Sequence, residues 1–333
     1  ISCGFVLLNY LWGDPLRSEV LRLPISFYPF PDYLQQFSVF YFEHFYVRMN
    51  NQKEKMMKIN RLLSVIVLTG IIFGQYNSDN HVVTTSMYYL KYNPDGSWAE
   101  LDELMEEEFT KMNQLDKELV SLMVLGHSLT GSFNEVVQVA EWKSIADADK
   151  STVNTGAMRR KARPNDEKRK AFYDKYGKYW TSKHKDLAVE ELVTSRIKRN
   201  NKRTTENSVV TVQEFYMKPM GQVEGGTAKE REALFDEYHN KVIMKNDKIL
   251  SRRELRHYWS GSLGGGPAPF VIITEFANTD DMINRNADGA EARRKAWPDE
   301  DERKAFFEKR NKYLAWGHKD IAIHSNLVKL NKR

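Results

Sequence analysis

The sequence contains one unit twice, and this duplication constrains the fold more than any other feature of its 333 residues. Residues 159–188 and 293–322 are identical at sixteen of thirty aligned positions, at an offset of 134 residues. Upstream, Asp116 and Lys117 match Asp247 and Lys248 at an offset of 131, which predicts a three-residue length change between the two blocks. Self-similarity at a fixed spacing predicts two structural copies in one chain.

Both copies predict the same order of elements. Residues 85–92 and 209–217 are rich in aromatic and β-branched residues, which is typical of strands, and an amphipathic helix follows each of them. The other predicted elements are second strands at 119–127 and 252–260, third strands at 136–142 and 270–276, helices at about 165–182 and 299–316, and last strands at 187–193 and 321–328. The order β-α-β-β-α-β predicts an α+β fold with two ferredoxin-like repeats.

The domain boundaries follow from the repeat. The first ferredoxin-like repeat is predicted at 81–195 and the second at 208–330. The segment 196–207 between them is polar, charged and without an apolar period, which is typical of a linker.

The segment 57–74 has the three-part pattern of a secretory signal peptide. Lys58 and Arg61 form a short basic start, an apolar stretch of twelve residues follows at 62–73, and Gly74 supplies a small residue for cleavage. The stretch is shorter than the roughly 20 residues that span a bilayer. We therefore expect a secreted or periplasmic protein with no membrane contact after cleavage. An uncleaved N-terminal anchor is the alternative.

Residues 1–56 precede this signal although a signal peptide belongs at a chain start. They begin with Ile, are rich in Phe, Tyr and Leu, and show no sustained period of 2 or 3.6. We interpret them as an upstream, non-native extension, with Met56 or Met57 as the true start. A membrane-associated extension is the alternative.

Composition and motifs exclude several function classes. The formal net charge is +5 with acids and bases interspersed, which gives no case for a nucleic-acid partner. The single cysteine, Cys3, lies in the N-terminal extension, so no disulfide or thiolate metal site is expected in the folded part. No H-E-x-x-H, G-x-S-x-G or C-x-x-C occurs after residue 74, and the Gly-rich segment 264–267 is typical of a hairpin turn. We expect no metal, and the sequence requires no cofactor.

The third strand of each copy is apolar on both faces. Val137, Val139 and Glu141 alternate with a second set that contains Ala140 and Trp142. Two helices cover only one face of a four-stranded sheet, so the other face needs a second cover. The sister copy is the simplest source of it, and we expect the two sheets to pair into one α/β barrel.

At this point the chain resembles the dimeric α/β-barrel superfamily in its fused, tandem form. The resemblance covers about residues 85–330 and rests on element order and the repeat. Members of that superfamily include monooxygenases of the antibiotic-biosynthesis type, muconolactone-isomerase-like enzymes and haem-binding proteins. The resemblance implies a small apolar or aromatic ligand inside the barrel, and it is the only ground on which haem comes into question.

The most prominent candidate site is a His-Lys-Asp triplet that occurs in both copies. His184 and Asp186 stand just before the predicted last strand of copy one, and His318 and Asp320 take the same place in copy two. A histidine with a nearby carboxylate is suited to act as a general base. The alternative is that both pairs satisfy backbone groups at a helix–strand junction.

Further candidates follow from the strand faces. Glu141 and Glu275 end the third strands, and inside a barrel they would be carboxylates with raised pKa values; as strand-end residues they would instead reach solvent. His324 is expected on the strand face of Asp320, where copy one has Glu190. The aromatic candidates, either pocket lining or core, are Tyr89, Tyr216 and Trp142.

The first functional hypothesis is a secreted barrel that binds a small hydrophobic or aromatic molecule between its sheets, with cofactor-independent acid–base or monooxygenase-type chemistry. The alternative is a non-catalytic binding or structural module with a solid core between the sheets. Whether the protein is an enzyme stays open at this point, as does the choice between a monomeric pseudo-dimer and a homodimer. A cavity of a few hundred Å³ between the sheets distinguishes the two hypotheses.

Overall fold

The computed structural model describes residues 80–200, 205–258 and 266–332. The segment 1–56 with Cys3, the predicted signal peptide at 57–74 and residues 264–265 of the Gly-rich segment 264–267 lie outside the described residues. The interpretations of these segments therefore stay predictions. Among the described residues, no helix is both long and apolar enough to cross a membrane.

Both copies contain four strands, and equivalent polar residues begin their helices. Ser97 accepts a hydrogen bond from the backbone N–H of Glu100, and Thr227 accepts one from Glu230. The elements of copy one are β1 (His81–Leu90), α1 (Trp98–Leu115), β2 (Leu119–His127), β3 (Glu135–Trp142), α2 (Ile145–Ala162), α3 (Asp166–Tyr176) and β4 (Trp180–Leu192). The elements of copy two are β5 (Ser208–Met217), α4 (Ala228–Tyr238), β6 (Ile249–His257), β7 (Ala268–Phe276), α5 (Thr279–Ile283), α6 (Arg285–Ala296), α7 (Glu300–Asn311) and β8 (Leu314–Asn326).

The eight strands form one closed antiparallel barrel in the order β1-β3-β2-β8-β5-β7-β6-β4. Each copy contributes a four-stranded sheet with the ferredoxin-like strand order, β4-β1-β3-β2 and β8-β5-β7-β6. The copies join at two seams, β2 with β8 and β4 with β6, so the last strand of each copy pairs with the second strand of the other. The predicted α+β fold, two ferredoxin-like repeats that close into one α/β barrel, is confirmed.

The third strands bury residues on two faces, as their composition predicts, whereas the middle of β4 and of β8 is exposed. The interior face of the barrel carries one shared core, which includes Val83, Val139, Val210 and Ile273. The helix-facing surface carries a separate core in each copy, one around Leu101 and Phe109 and one around Phe235, Phe270 and Phe306. The interior face is thus covered by the sister copy and the outer face by helices.

Two boundaries differ from the sequence-based prediction. The polar stretch after the third strand forms an additional helix in each copy, α2 in copy one and α5 with α6 in copy two. In α2 only Ser151 is buried, so the sequence of this segment has no apolar stripe that would predict a helix. The last strands begin at Trp180 and Leu314, whereas the predicted helices extend to about 182 and 316.

The repeat alignment also shifts by one residue in the second strands. Ser121 lies opposite Glu141, and Ser251 lies opposite Glu275. The structural offset in β2 and β6 is therefore 130 residues rather than 131, and β6 begins at Ile249 rather than near 252. Asn246, not Asp247, takes the place of Asp116, since both side chains accept a backbone hydrogen bond two residues ahead.

The predicted linker begins as packed structure. The Arg196 side chain is buried and donates hydrogen bonds to Glu254, Asp236 and Glu232 of copy two. Because a buried charge needs such partners, Arg196 ties the end of copy one to the helix-facing surface of copy two. As a domain boundary, 196–207 stays a prediction.

Candidate functional site

A cavity of about 510 Å³ lies inside the barrel. Most of its wall is apolar and comes from both copies, with Met87, Val139, Val212, Leu255 and Ile273 among the lining residues. Polar groups gather at one end, which we call the mouth, where β2 and β6 end and β3 and β7 begin. The polar and charged residues there include Thr130, Glu135, Glu190, Glu214, His257 and His324. An apolar cavity with a few convergent polar groups is typical of small-molecule sites.

A β-bulge in the last strand of each copy decides which side chains face this cavity. Thr85 lies opposite Ala188 while Ser86 lies opposite Asp186, so Leu187 has no partner in the register. The same shift leaves Ile321 of β8 unpaired. An extra residue interrupts the alternation of a strand, so side chains on either side of it that share parity point to opposite faces.

Glu190 follows the first bulge and lines the cavity. Burial, reinforced by the negative charge of Glu214, raises its pKa to about 7. Within the described residues the Glu190 side chain takes part in no hydrogen bond or ion pair that would stabilise its charge. Glu214 differs, because it accepts a hydrogen bond from the Tyr216 hydroxyl. A carboxyl group that titrates near neutral pH is suited to accept and return a proton.

His324 occupies the equivalent position in copy two and also lines the cavity. Its Nδ1 lies 3.2 Å from the carbonyl oxygen of Gly126, which can only accept, so Nδ1 carries the hydrogen and Nε2 keeps a lone pair. Burial lowers the pKa of His324. The imidazole is therefore a neutral acceptor near neutral pH. The expectation that His324 shares the strand face of Asp320 is wrong, because the bulge at Ile321 separates them.

Below the cavity, Glu141 closes the opposite end, which we call the base. It lies on the interior face, as expected, and accepts hydrogen bonds from both Arg199 terminal nitrogens, at 2.6 and 2.9 Å, and from Ser121 at 2.6 Å. His81 Nδ1 lies 2.7 Å away. Burial alone would raise the pKa of Glu141, but these hydrogen bonds lower it to about 2. The predicted raised pKa is therefore wrong.

Glu275 takes the same place in copy two. It is buried and accepts hydrogen bonds from Ser208 at 2.7 Å, Ser251 at 2.6 Å and Asn326 at 3.0 Å. Neither Glu141 nor Glu275 lines the cavity. Hydrogen bonds thus hold both carboxylates outside the cavity, which makes the base a structural closure of the barrel.

The two His-Lys-Asp triplets lie within β4 and β8, before the bulges, and their histidines and aspartates face the helix side of the sheets. His184 stacks on Tyr88 and His318 on Phe215, at centroid distances of 5.7 and 5.4 Å. His184 Nε2 is 3.8 Å from Asp186, beyond hydrogen-bond range.

In copy two, His318 Nε2 is 3.5 Å from Asp320, which accepts a 2.7 Å hydrogen bond from Gln213. About half of each imidazole is exposed. None of the four residues lines the barrel cavity, and their catalytic role stays a prediction.

The aromatic candidates are divided between the two faces. Trp142 faces the helices, where its indole N–H donates a 3.0 Å hydrogen bond to Thr84. Tyr216 touches the mouth through Glu214. Tyr89 lies beside Lys185, whose ammonium is 6.0 Å from the ring centroid, and is not part of the cavity wall. The structure thus brings His324 and, through Glu214, Tyr216 to one site.

The sequence pattern indicates Glu190 only as the counterpart of His324, and it does not single out Glu214, Glu135 or His257. The signal for Glu214 was present, because it follows Val210 and Val212 at every second position of β5. Glu190 could not be placed without the bulge. No group of three or more His, Cys, Asp or Glu in the described part of the chain could hold a metal ion.

No protein-family model and no curated protein matches the chain. Among solved structures it is similar to a proposed monooxygenase of Lactobacillus acidophilus, with a TM-score of 0.41 and 9% identity over 74% of this chain and 93% of that one. A proposed monooxygenase of Fusobacterium nucleatum gives 0.41 and 10% over 74% and 91%. A proposed chlorite dismutase gives 0.39 and 13% over 74% and 93%.

At these scores the assignment of fold rests on the strand order of this chain itself. Two ferredoxin-like sheets, fused in one polypeptide and joined at two antiparallel seams, give it the fold of a dimeric α/β barrel.

Proposed function

We propose that the barrel cavity binds a small, mainly apolar molecule and that Glu190 transfers a proton to and from it without a cofactor. The observation that supports this proposal most directly is the cavity of about 510 Å³, whose mainly apolar wall includes the Glu190 carboxyl group with a pKa of about 7. Near neutral pH such a group is present in both protonation states, which is the condition for efficient general acid–base catalysis.

The proposed substrate is a carbon acid, for example an aryl ketone with an activated C–H bond. Its ring fits the apolar wall around Val139 and Ile273. Glu190 takes the proton from carbon, and on a substrate whose ring also carries a hydroxyl group the neutral His324 accepts a hydrogen bond from it at Nε2. Return of the proton to another carbon gives an isomerisation. In the monooxygenase-type alternative the carbanion reduces dioxygen as a C–O bond forms, and the resulting hydroperoxide loses water, so that one oxygen atom stays in the product as a new carbonyl group.

The binding part is tested with Nile red, a neutral apolar dye. Val139→Trp should fill the cavity and abolish the rise in dye fluorescence. Val153→Trp is the matched control, since Val153 is exposed on α2 and the substitution adds the same side chain outside the barrel. Equal dye binding by both variants would place the ligand elsewhere and overturn the proposal.

The chemical part is tested by deuterium exchange into 2-tetralone from heavy water. Wild-type protein should accelerate exchange with an inflection near pH 7, and Glu190→Gln should lower the rate by about 100-fold or more while dye binding persists. An oxygen electrode separates isomerisation from oxidation. Binding without exchange in the wild type would leave the non-catalytic binding module as the function.

We also propose that residues 57–74 direct export. The pattern of a basic start, an apolar stretch and Gly74 supports this proposal. Native mass spectrometry of the chain expressed from Met57 in a bacterial host should give a periplasmic product that begins near residue 75. A cytoplasmic product that retains Met57 would contradict export.

A further inference from the structure

Two further cavities lie between the helix-facing surface of the barrel and the helices, one in each copy. The first outer cavity, of about 540 Å³, lies over the sheet of copy one, and the second outer cavity, of about 400 Å³, lies over that of copy two. Their walls occupy equivalent positions, for example Trp142 and Phe276 in β3 and β7. They are therefore equivalent pockets of the two copies. Differences between their lining residues show how the two pockets differ in the ligands that they could bind.

The first outer cavity carries no excess of positive charge. Its lining contains one basic residue, Arg159, and two carboxylates, Glu108 and Asp116. Glu108 accepts a 2.6 Å hydrogen bond from Arg163 and lies 3.6 Å from Arg159. Asp116 accepts a 2.6 Å hydrogen bond from Ser151. The charged groups there already have partners.

The second outer cavity carries an excess of positive charge. Its basic lining residues are Lys248, Arg252, Arg285, Arg293 and Arg310, and Asp288 is the single carboxylate among its lining residues; His318 also lines it. Lys248 pairs with Asp281 at 2.9 Å. Within the described residues, none of the four arginines lies within ion-pair distance of a carboxylate.

Arg310 shows the consequence most directly. Its guanidinium lies over the rings of Tyr238 and Phe235, at 4.4 and 4.8 Å, and its buried Nε has no hydrogen-bond partner in the described part of the chain. Burial and the charges of Arg252 and Arg293 lower the pKa of Arg310. Buried like charges oppose folding unless an anion joins them.

Comparison of the copies shows a consistent direction of change. Leu122, Ser151 and Tyr176 of the first outer cavity are replaced by Arg252, Arg285 and Arg310 in the second. Glu108 is replaced by Tyr238, and Asp116 by Asn246. Three positions thus gain a positive charge and two lose a negative charge, all around the same pocket. A purely structural helix–sheet contact does not require this, since copy one forms it without these arginines.

We propose that the second outer cavity binds a small organic anion, whose carboxylate or phosphate lies among Arg252, Arg293 and Arg310. The planar guanidinium fork matches the oxygens of both groups. The remaining wall is apolar, with Phe215, Phe270 and Ile272, and suits an aromatic or aliphatic body. This site is separate from the barrel cavity, because the sheet of copy two lies between them.

The test is isothermal titration calorimetry and thermal unfolding of the full chain with three probes of similar size. Benzoate and phenyl phosphate should bind and raise the melting temperature, whereas neutral benzyl alcohol should do neither. Inorganic phosphate serves as a fourth arm, because it offers the charge without the body. Failure of benzoate, phenyl phosphate and phosphate to bind the wild type would overturn the proposal.

Copy one supplies the variants. Arg252→Leu and Arg310→Tyr introduce the residues that the first outer cavity already carries, and each should weaken binding of benzoate or phenyl phosphate about tenfold or more. The free variants should melt at the same temperature as the wild type or higher, because like-charge repulsion is relieved. Arg294→Ala, an exposed arginine outside the cavity, is the matched control and should change neither property.

Three outcomes contradict the anion site. Undiminished anion binding by both variants would place the anion elsewhere. A lower melting temperature of the free variants would assign the arginines to stability. If either variant does not fold, Arg252→Lys and Arg310→Lys replace it, and full affinity in both would remove the role of the guanidinium fork. Nile red binding in the barrel should stay unchanged throughout, which separates this test from that of the proposed function.

Discussion

Glu190 and His324 occupy the same position in the two copies, yet they face one cavity as a carboxyl group and an imidazole. Each lies opposite a histidine across a seam between the copies, Glu190 opposite His257 and His324 opposite His127. A barrel built from two identical subunits would present every position twice. Fusion in one chain allows a carboxyl group and a neutral imidazole to occupy equivalent positions of the same cavity.

The first prediction concerns Glu190→Gln and the pH dependence of stability. The pKa of Glu190 is about 7 in the folded protein and about 4.3 in an unfolded chain. Because the folded state binds the proton more tightly, the wild type should lose stability as pH rises between these values. Relative to wild type, Glu190→Gln should gain about 1–3 kcal/mol in the free energy of unfolding between pH 5 and pH 8.

Urea denaturation at both pH values measures this difference. Glu103→Gln, in which an exposed carboxylate of α1 is neutralised, is the matched control. If both variants differ from wild type by a constant amount across the range, burial of Glu190 has no influence on its titration.

The second prediction has the opposite sign and concerns Glu141 at the base. Its folded pKa of about 2 lies below the unfolded value, so its contribution to stability is present above about pH 4.3 and is lost as pH falls toward 2. Glu141→Gln should lower the free energy of unfolding by about 2–4 kcal/mol at pH 7 and by much less at pH 2. An equal loss at both pH values, seen in denaturant melts, would rule out the ionised carboxylate as its source.

The third prediction concerns the glycine that precedes the cap of α1. A Cβ atom at Gly96 would lie 1.9 Å from the Tyr179 hydroxyl, which accepts a hydrogen bond from Ser97 N–H and donates to Glu100. Gly96→Ala should therefore cost about 1–3 kcal/mol through displacement of Tyr179. Gly177→Ala is the control, since no heavy atom lies within 4 Å of the position that a Cβ atom would take at Gly177. Equal thermal stability of the two variants would contradict the close approach.

The fourth prediction concerns the histidine that occurs at the same position of the His-Lys-Asp triplet in both copies. His184 and His318 stack on the helix-facing side and do not line the barrel cavity. The double variant His184→Ala, His318→Ala should bind Nile red with unchanged affinity in a fluorescence titration. Loss of dye binding would contradict the placement of these residues, whereas loss of exchange activity at unchanged dye affinity would support their predicted catalytic role.

The fold was predictable because it follows from large-scale features of the sequence. The repeat indicates two copies, the element order indicates the ferredoxin-like unit, and the two apolar faces of Val136–Trp142 require a second cover. These features depend on periodicity over many residues, which tolerates errors of a few positions. The helix α2 was missed because it buries almost nothing, so its sequence carries no amphipathic signal.

The site was less predictable because its geometry depends on single residues. One unpaired residue, Leu187, reverses the face of every side chain before it in β4. Ile321 has the same effect in β8, and alternation counted through it assigned Asp320 and His324 to the same face, whereas only His324 lines the cavity. The low pKa of Glu141 depends on Arg199, which is 58 positions away and lies in the predicted linker. No local pattern reports such a contact.

The two seams also bear on how the chain can fold during synthesis. Until copy two is complete, the edges of β2 and β4 have no partner strands, and exposed edges are prone to wrong pairing with other chains. The last described residues also pair with β2: Asn331 accepts a hydrogen bond from the Val124 N–H, and Lys332 forms a β-bridge with Leu122. A nascent copy one therefore keeps unpaired strand edges until the strands of copy two and residues 331–332 have been synthesised.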